Sequence, residues 1–259
     1  MTTDMLIAGG RVFRSLGSGF AEAVLLRNGQ VAAVGMLEDI QDAAPSGVKR
    51  IDLGGRVVIP AFNEAHMHLL SYGRGLRQVN LRPDDGVHTL DELMTRIATA
   101  AKQMKPGAWV LGRGYDHVVL DVGRHPTAEE LQQAAPDNPV YIVRTCGHMG
   151  VASTAALRLA GVGHNTPVPD GGAVESRHGK LTGLLQERAQ RLVTSHVPVP
   201  DETSMVDDIA AAGLDLASRG FATASDMNVG MTGGFAEIAA YRRAHAEGRL
   251  MQRMWQVLA

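Results

Sequence analysis

The sequence has one cysteine, Cys146, so no intrachain disulfide can form and a reducing compartment is the natural setting. It has little net charge. Its 27 acidic residues against 25 Lys and Arg leave a formal −2, which gives no electrostatic footprint for DNA, RNA or anionic lipid. It lacks any apolar run near the ~18–20 residues that a membrane span requires. The opening MTTDMLIAGG has neither the basic start nor the apolar stretch of an export signal. There is no internal repeat and no low-complexity tract. What is there is an ordinary composition, 45% hydrophobic and 20% charged over 259 residues, enough for one large domain or two small ones. The expectation is a cytoplasmic protein with a small-molecule partner rather than nucleic acid or membrane.

The first 58 residues read as short strands. Residues 23–27 and 30–34 are apolar runs joined by Asn28-Gly29, a dipeptide that tolerates positive φ at both turn positions. Further strands are expected at residues 5–8, 11–13, 48–52 and 56–59, together one half of a β-sandwich. After Pro60 helices enter. Thr89 with Glu92, and Thr127 with Glu130, have capping-box spacing ahead of helical periodicity. Strands are expected at residues 109–112 and 140–143, a short helix at 153–160, a Gly-rich hairpin at 171–183 and a helix at 184–193. The Val197-Pro198-Val199-Pro200 stretch reads as an extended linker. From Asp201 the pattern is helix 203–219, strand 221–225, helix 235–247 and strand 253–258. That alternation argues for parallel strands with crossover helices, an α/β class.

Chemistry concentrates in Val57-Val58-Ile59-Pro60-Ala61-Phe62-Asn63-Glu64-Ala65-His66-Met67-His68-Leu69, read as a strand running into two histidines spaced i, i+2. In an extended backbone both imidazoles point to one side and Met67 to the other. Two neutral imidazole nitrogens about 2.0–2.1 Å from one Zn²⁺ are then geometrically easy. A bare His-x-His is weak on its own; the hairpin-rich head before it makes the combination more specific. The other histidines, His88, His117, His125, His164, His178, His196 and His245, sit in polar or turn contexts and read as surface residues.

With these residues in view, the sequence resembles the amidohydrolase superfamily, whose first barrel strand ends in Pro-Gly-Phe-x-Asp-x-His-x-His. Ala61 stands here for the glycine and Glu64 for the aspartate. Gly112-Arg113-Gly114-Tyr115-Asp116 is similar to the Gly-x-Gly-Trp-Asp segment of amidohydrolase family 3, the YtcJ-like metal-dependent hydrolases. Val143-Arg144-Thr145-Cys146-Gly147-His148, followed by Ala155-Ala156-Leu157, is similar to its Asp-Gly-His segment, with Cys146 in place of aspartate. Gly171-Gly172 with Leu181-Thr182-Gly183-Leu184-Leu185-Gln186-Glu187, and Gly220-Phe221-Ala222-Thr223-Ala224-Ser225-Asp226, match two further stretches in the family's order.

The resemblance implies an α/β fold: a partial TIM-type (β/α) barrel with an N-terminal β-sandwich half and an α+β insertion domain. On that reading residues 1–58 are the sandwich half, 59–69 and 201–259 the first strands and helices of the barrel, and 70–200 the insertion. It makes His66 and His68 ligands of a divalent metal, most simply zinc, and His148, Asp116, Glu187 and Asp226 candidates for the substrate pocket. The plainer alternatives are a loop histidine bonding backbone, helix-capping or surface carboxylates, and an aspartate bonding a loop amide. The family's carboxylated lysine, its later histidine ligands and its catalytic aspartate would fall beyond Ala259. The chain therefore reads as an N-terminal half, inactive alone, binding zinc no more tightly than micromolar, and prone to form a homo-oligomer. The implied reaction is metal-assisted hydrolysis of a carbon–nitrogen bond other than a peptide bond, of amide or N-acyl type, with N-substituted formamides as one substrate type. The competing reading is a non-catalytic remnant or partner subunit that binds metal weakly.

Overall fold

The computed structural model describes residues 4–231 and 233–259. Its contacts separate two units, the first ending at Phe62 and the second beginning at Asn63. The first holds β1 (Met5–Ala8), β2 (Arg11–Ser15), β3 (Gly19–Ala21), β4 (Ala23–Arg27), β5 (Gln30–Gly35), α1 (Leu37–Asp42), β6 (Lys49–Asp52) and β7 (Val57–Val58). They form a four-stranded sheet, β5-β4-β1-β6, and a three-stranded one, β3-β2-β7. Asn28 and Gly29 have φ of 51° and 75°, the left-handed pair that a two-residue hairpin between β4 and β5 requires. Leu6, Leu25 and Ile40 are the core of this unit.

β7 corrects one expectation. Val57 and Val58 do not run on into the histidines; they pair in parallel with Arg11 and Val12 of β2. Pro60 has no N–H to give to a ladder. The histidine segment starts again as its own strand, β8 (Phe62–Met67).

Beyond β8 come α2 (Leu69–Arg77), β9 (Val79–Asn80), α3 (Leu90–Ala101), β10 (Val110–Tyr115), α4 (Ala128–Ala134), β11 (Val140–Arg144), β12 (Met149–Ala152), α5 (Thr154–Leu159), β13 (Gly172–Arg177) and β14 (Lys180–Glu187). Then follow α6 (Arg191–Thr194), α7 (Glu202–Ser218), β15 (Phe221–Val229), α8 (Phe235–Ala246) and β16 (Arg253–Leu258). A six-stranded sheet runs β13-β14-β12-β11-β10-β9, in which β9, β10 and β11 are parallel and the remainder antiparallel. Both capping boxes form. Thr89 Oγ1 accepts from Glu92 N at 3.2 Å and Thr127 Oγ1 from Glu130 N at 3.2 Å, and each glutamate accepts in return from its threonine's N–H.

The helix expected at residues 184–193 begins late: only a 3-10 turn, Arg188–Gln190, and the short α6 are helical, and the residues before them are strand. Leu184 and Leu185 continue β14, antiparallel to Val151 and Gly150 of β12. The two leucines enter different cores, Leu184 with Leu93, Ile97 and Leu131, Leu185 with Ala156 and Leu157. A strand buried on both faces loses the period-2 alternation that would have marked it, and an adjacent leucine pair then reads like a helix.

The third arrangement is the sheet β16-β15-β8, with β15 and β16 parallel. β8 and β15 are hydrogen-bonded neighbours, and all six strands of the larger sheet lie between them in sequence. Beneath this sheet Leu69, Leu70, Met205, Ile209, Ala224, Val229 and Tyr241 bury against one another, joining α2, α7, α8 and β15. The mixture of helices and several sheets is of the α/β kind, and no sheet among the described residues closes into a barrel. No helix among the described residues is long and apolar enough to cross a membrane.

α2 and α7 meet where α2 has no side chain. A Cβ on Gly73 would lie 1.8 Å from the backbone oxygen of Asp208. Gly73→Ala must push the helices apart, and overpacking of this kind costs about 1–3 kcal/mol. The expected readout is a lower urea midpoint at unchanged slope.

Candidate functional site

His66 lies in β8, and His68 occupies the residue before α2, with φ −121° and ψ 81°. Their ring centres are 5.7 Å apart, the planes inclined by 71°. Both side chains are exposed, while Met67 between them packs into the core below. Glu64 folds back on the strand, its Oε1 accepting from His66 N at 3.0 Å.

Behind His68 sits Asp226, only 2% exposed. It lies within β15, which runs on to Val229, and not at the strand's end as expected. Its Oδ2 accepts from the N–H groups of Leu69 at 3.1 Å and Leu70 at 3.5 Å, and from the Tyr241 hydroxyl. Its Oδ1 accepts from Asn228 N at 3.2 Å and lies 3.9 Å from His68 Nδ1. The first turn of a helix presents unpaired N–H groups and a partial positive charge, which an acid can satisfy. α2 has no side-chain cap of its own and no acid in its first turn, so Asp226 does this from another element. Burial, then the charge and hydrogen bond of Asp226, hold the Tyr241 hydroxyl well above its ordinary pKa, so it stays a donor. Beside this carboxylate is a cavity of about 20 Å³, lined by His68, Leu70, Ser71, Arg74, Asp226, Asn228 and Glu237. That is room for one water-sized group.

His148, Asp116 and Glu187 come together elsewhere, beyond β10, β11 and β14. Asp116 accepts from Arg144 Nη2 at 2.9 Å and Val118 N at 3.1 Å. Burial pushes its carboxyl up, but these hydrogen bonds and the nearby positive charges outweigh it and hold the group below the usual range. Arg144 also donates Nε–H to His117 Nδ1 at 3.0 Å. His117 and His125, expected at the surface, are half-buried. Their rings stack 3.9 Å apart, and His125 Nδ1 bonds the buried Tyr115 hydroxyl at 2.9 Å. Burial, with the charge of His117, pushes His125 down to about 4, so it is neutral at pH 7.

Cys146 is exposed in the loop after Arg144. Burial raises its thiol, but hydrogen bonds from Arg144 and from His148 N–H prevail and lower it. His148 Nδ1 is 3.0 Å from Glu187 Oε2. Glu187 has φ 50°, a left-handed conformation rare outside glycine, held by its N–H bond to His148 O at 2.8 Å. Such strain tends to collect at functional positions.

The six expected residues thus fall into two groups, His66, His68 and Asp226 in one, and Asp116, His148 and Glu187 in the other. No hydrogen bond or ion pair among the described residues joins the groups. Sequence reasoning missed Arg144, which organises the second group, and Tyr241, which completes the first; each acts through a long-range contact without a local motif. His66 and His68 are two imidazole donors, and no set of three or more His, Cys, Asp or Glu arranged for an ion occurs among the described residues.

Residues 49–258 match the sequence model of the Amidohydrolase family. The chain is 34% identical over 246 residues to an N-substituted formamide deformylase of Arthrobacter pascens, covering 89% of this chain and 42% of that protein. It is 32% identical over 229 residues to protein LONG AFTER FAR-RED 3 of Arabidopsis thaliana, covering 88% and 39%. Among solved structures it is similar to an uncharacterized metal-dependent hydrolase from Pyrococcus furiosus, at 25% identity and a TM-score of 0.72, over 98% of this chain and 50% of that one. The chain therefore spans half or less of the length of these proteins.

Two outcomes follow from the geometry. Asp226→Ala leaves the Leu69 and Leu70 N–H groups and the Tyr241 hydroxyl without their acceptor, and buried donors so orphaned cost about 1–3 kcal/mol each. A loss of roughly 2–4 kcal/mol in urea unfolding of metal-free protein is expected, with Asp226→Asn losing less. The second concerns His148, whose pKa Glu187 raises by hydrogen bond and charge. The pair's contribution is fully present below the ordinary histidine pKa and is lost as pH rises through the raised one. NMR titration of the imidazole should show protonation persisting to higher pH, and Glu187→Gln should bring the midpoint back down.

Proposed function

The chain belongs to the amidohydrolase family, and on that premise we propose that it carries part of the active site of a metal-dependent hydrolase of carbon–nitrogen bonds other than peptide bonds. The observation that carries this reading is the pair His66 and His68, exposed at the end of β8 with rings 5.7 Å apart and Asp226 behind. Two imidazoles sharing one ion at ~2.1 Å and a tetrahedral angle hold their ring centres roughly 5 Å apart, so the observed placement fits a shared ion after a small adjustment. Zinc suits imidazole donors and is the metal proposed. When bound, such an ion polarises a scissile carbonyl and activates the attacking water.

The chain's own residues do the holding. His66 and His68 supply two nitrogen donors. Asp226, 3.9 Å from His68 Nδ1, faces that ring with its acceptor side, which favours coordination through Nε2. Glu64 fixes the backbone of the strand from which His66 projects. A catalytic zinc normally takes three protein ligands, and the remaining donors and the catalytic aspartate are proposed to lie in the portion of the family's length that this chain does not span.

The sheet β16-β15-β8 supports a share in a (β/α) barrel, with residues 70–200 as an insertion between its first two strands and residues 1–58 as a separate β-sandwich half. Along β16, Trp255, Val257 and Leu258 are exposed, as on a strand that has another element to meet. The same exposure favours a second reading, in which the chain binds metal weakly and associates with a copy or partner that covers this strand. The identity with a formamide deformylase supports N-substituted formamides as a substrate type.

Competition with a chromophoric chelator tests the ligand assignment. Zinc should bind this chain at micromolar affinity or weaker, and His66→Ala/His68→Ala should weaken it roughly tenfold or more. Affinity unchanged in the double variant would remove the basis of the proposal.

A further inference from the structure

Arg82 and Arg113 stand at the end of one strand pair in the second unit. β9 and β10 run parallel with Asn80 in register with Arg113, and Leu81 N donates to Arg113 O at 2.9 Å. Arg82 follows directly, so both arginines project near the carboxyl end of the same strand pair. The chain leaves room for each by omitting a side chain. A Cβ on Gly75 of α2 would lie 2.1 Å from Arg113 Nη1, and one on Gly114 would lie 2.5 Å from Arg82 Cγ. Gly114 has φ +91° and marks a bulge in β10, after which Tyr115 enters the core. The bulge is what lets one short strand send Arg113 and Tyr115 to different surroundings.

Neither guanidinium has a hydrogen-bond or ion-pair partner among the described residues. The acids nearby are already engaged. Asp215 holds Arg219 at 2.8 and 3.2 Å and the Tyr72 hydroxyl at 2.6 Å. Asp116 holds Arg144 at 2.9 Å, and Asp85 accepts from Asn80 at 2.7 Å. Arg113 is partly buried, and first its burial and then the positive charge of Arg82 disfavour its charged form. Elsewhere in this unit partly buried arginines meet acids, as Arg124 meets Glu130 and Arg144 meets Asp116. Two neighbouring arginines without an acid offer guanidinium donors to planar or tetrahedral oxyanions. They lie at the carboxyl ends of parallel strands, where open α/β sheets bind ligands.

We propose that Arg82 and Arg113 together bind an oxyanion, a carboxylate or phosphate group. The site uses neither His66 nor His68 and stands without the hydrolase reading.

The test is thermal unfolding of this chain in low-salt buffer with inorganic phosphate, acetate or chloride at matched ionic strength. Phosphate or acetate should raise the midpoint saturably while chloride does not, and the more effective of the two identifies the ligand class. Arg113→Gln should raise the midpoint of anion-free protein, because it removes an uncompensated charge, and should abolish most of the anion response. Arg82→Gln, on the exposed arm, should weaken the response at least fivefold, and it decides the matter if Arg113→Gln does not fold. Arg243→Gln, whose charge is paired with Glu247 at 2.7 Å, should leave the response intact. An equal response to chloride, or one undiminished in Arg82→Gln, overturns the proposal.

Discussion

The carboxylate of Asp226 joins three elements that sequence order keeps apart. From β15 it accepts hydrogen bonds from the first turn of α2 and from Tyr241 of α8, and it faces the ring of His68. A buried carboxylate is tolerable only when its oxygens are satisfied, and the start of a helix is unsatisfied unless something accepts from it. Each need answers the other. The position of His68 follows, because it is the residue immediately before that helix turn. The small polar cavity beside Asp226 and the leucine-rich core under α2 rest on the same contact.

The second group depends on arginine in the way the first depends on aspartate. Arg144 bonds Asp116, His117 and Cys146, at the point where β11 stops. The second group lies at or just past the ends of its strands, whereas Asp226 of the first lies within β15. They differ in exposure. Asp226 is closed away from solvent behind the exposed His66 and His68, whereas in the second group His148 and Glu187 are both open to it.

Local chemistry was legible in the sequence. The Asn28-Gly29 turn, the capping boxes at Thr89 and Thr127, and the hairpin strand 23–27 each depend on neighbours a few residues away, and each formed. So did the i, i+2 logic that sets His66 and His68 together with Met67 turned inward. What could not be read was set by distant partners. Leu184 and Leu185 look helical until two cores claim them from opposite faces. Val57 and Val58 look continuous with the histidines until β2 pairs with them. His117 and His125 look like surface residues until they stack. Asp226 was a candidate because of its position in a family-like segment; that it caps a helix 157 residues earlier has no local signature.

That separation has a consequence for synthesis. At ribosomal rates of about 5–20 residues per second, the interval between Leu69 and Asp226 lasts roughly 8–31 s. Through that time the nascent α2 has neither its acceptor nor the α7 surface that covers Leu69 and Leu70. The six-stranded sheet can meanwhile assemble, since its strands follow one another closely in the chain. The histidine segment is thus among the earliest parts of the second unit to leave the ribosome and among the last to be secured. Closing so long a loop is slow, so the stretch just after His68 is the apolar part of this unit that waits longest for its cover.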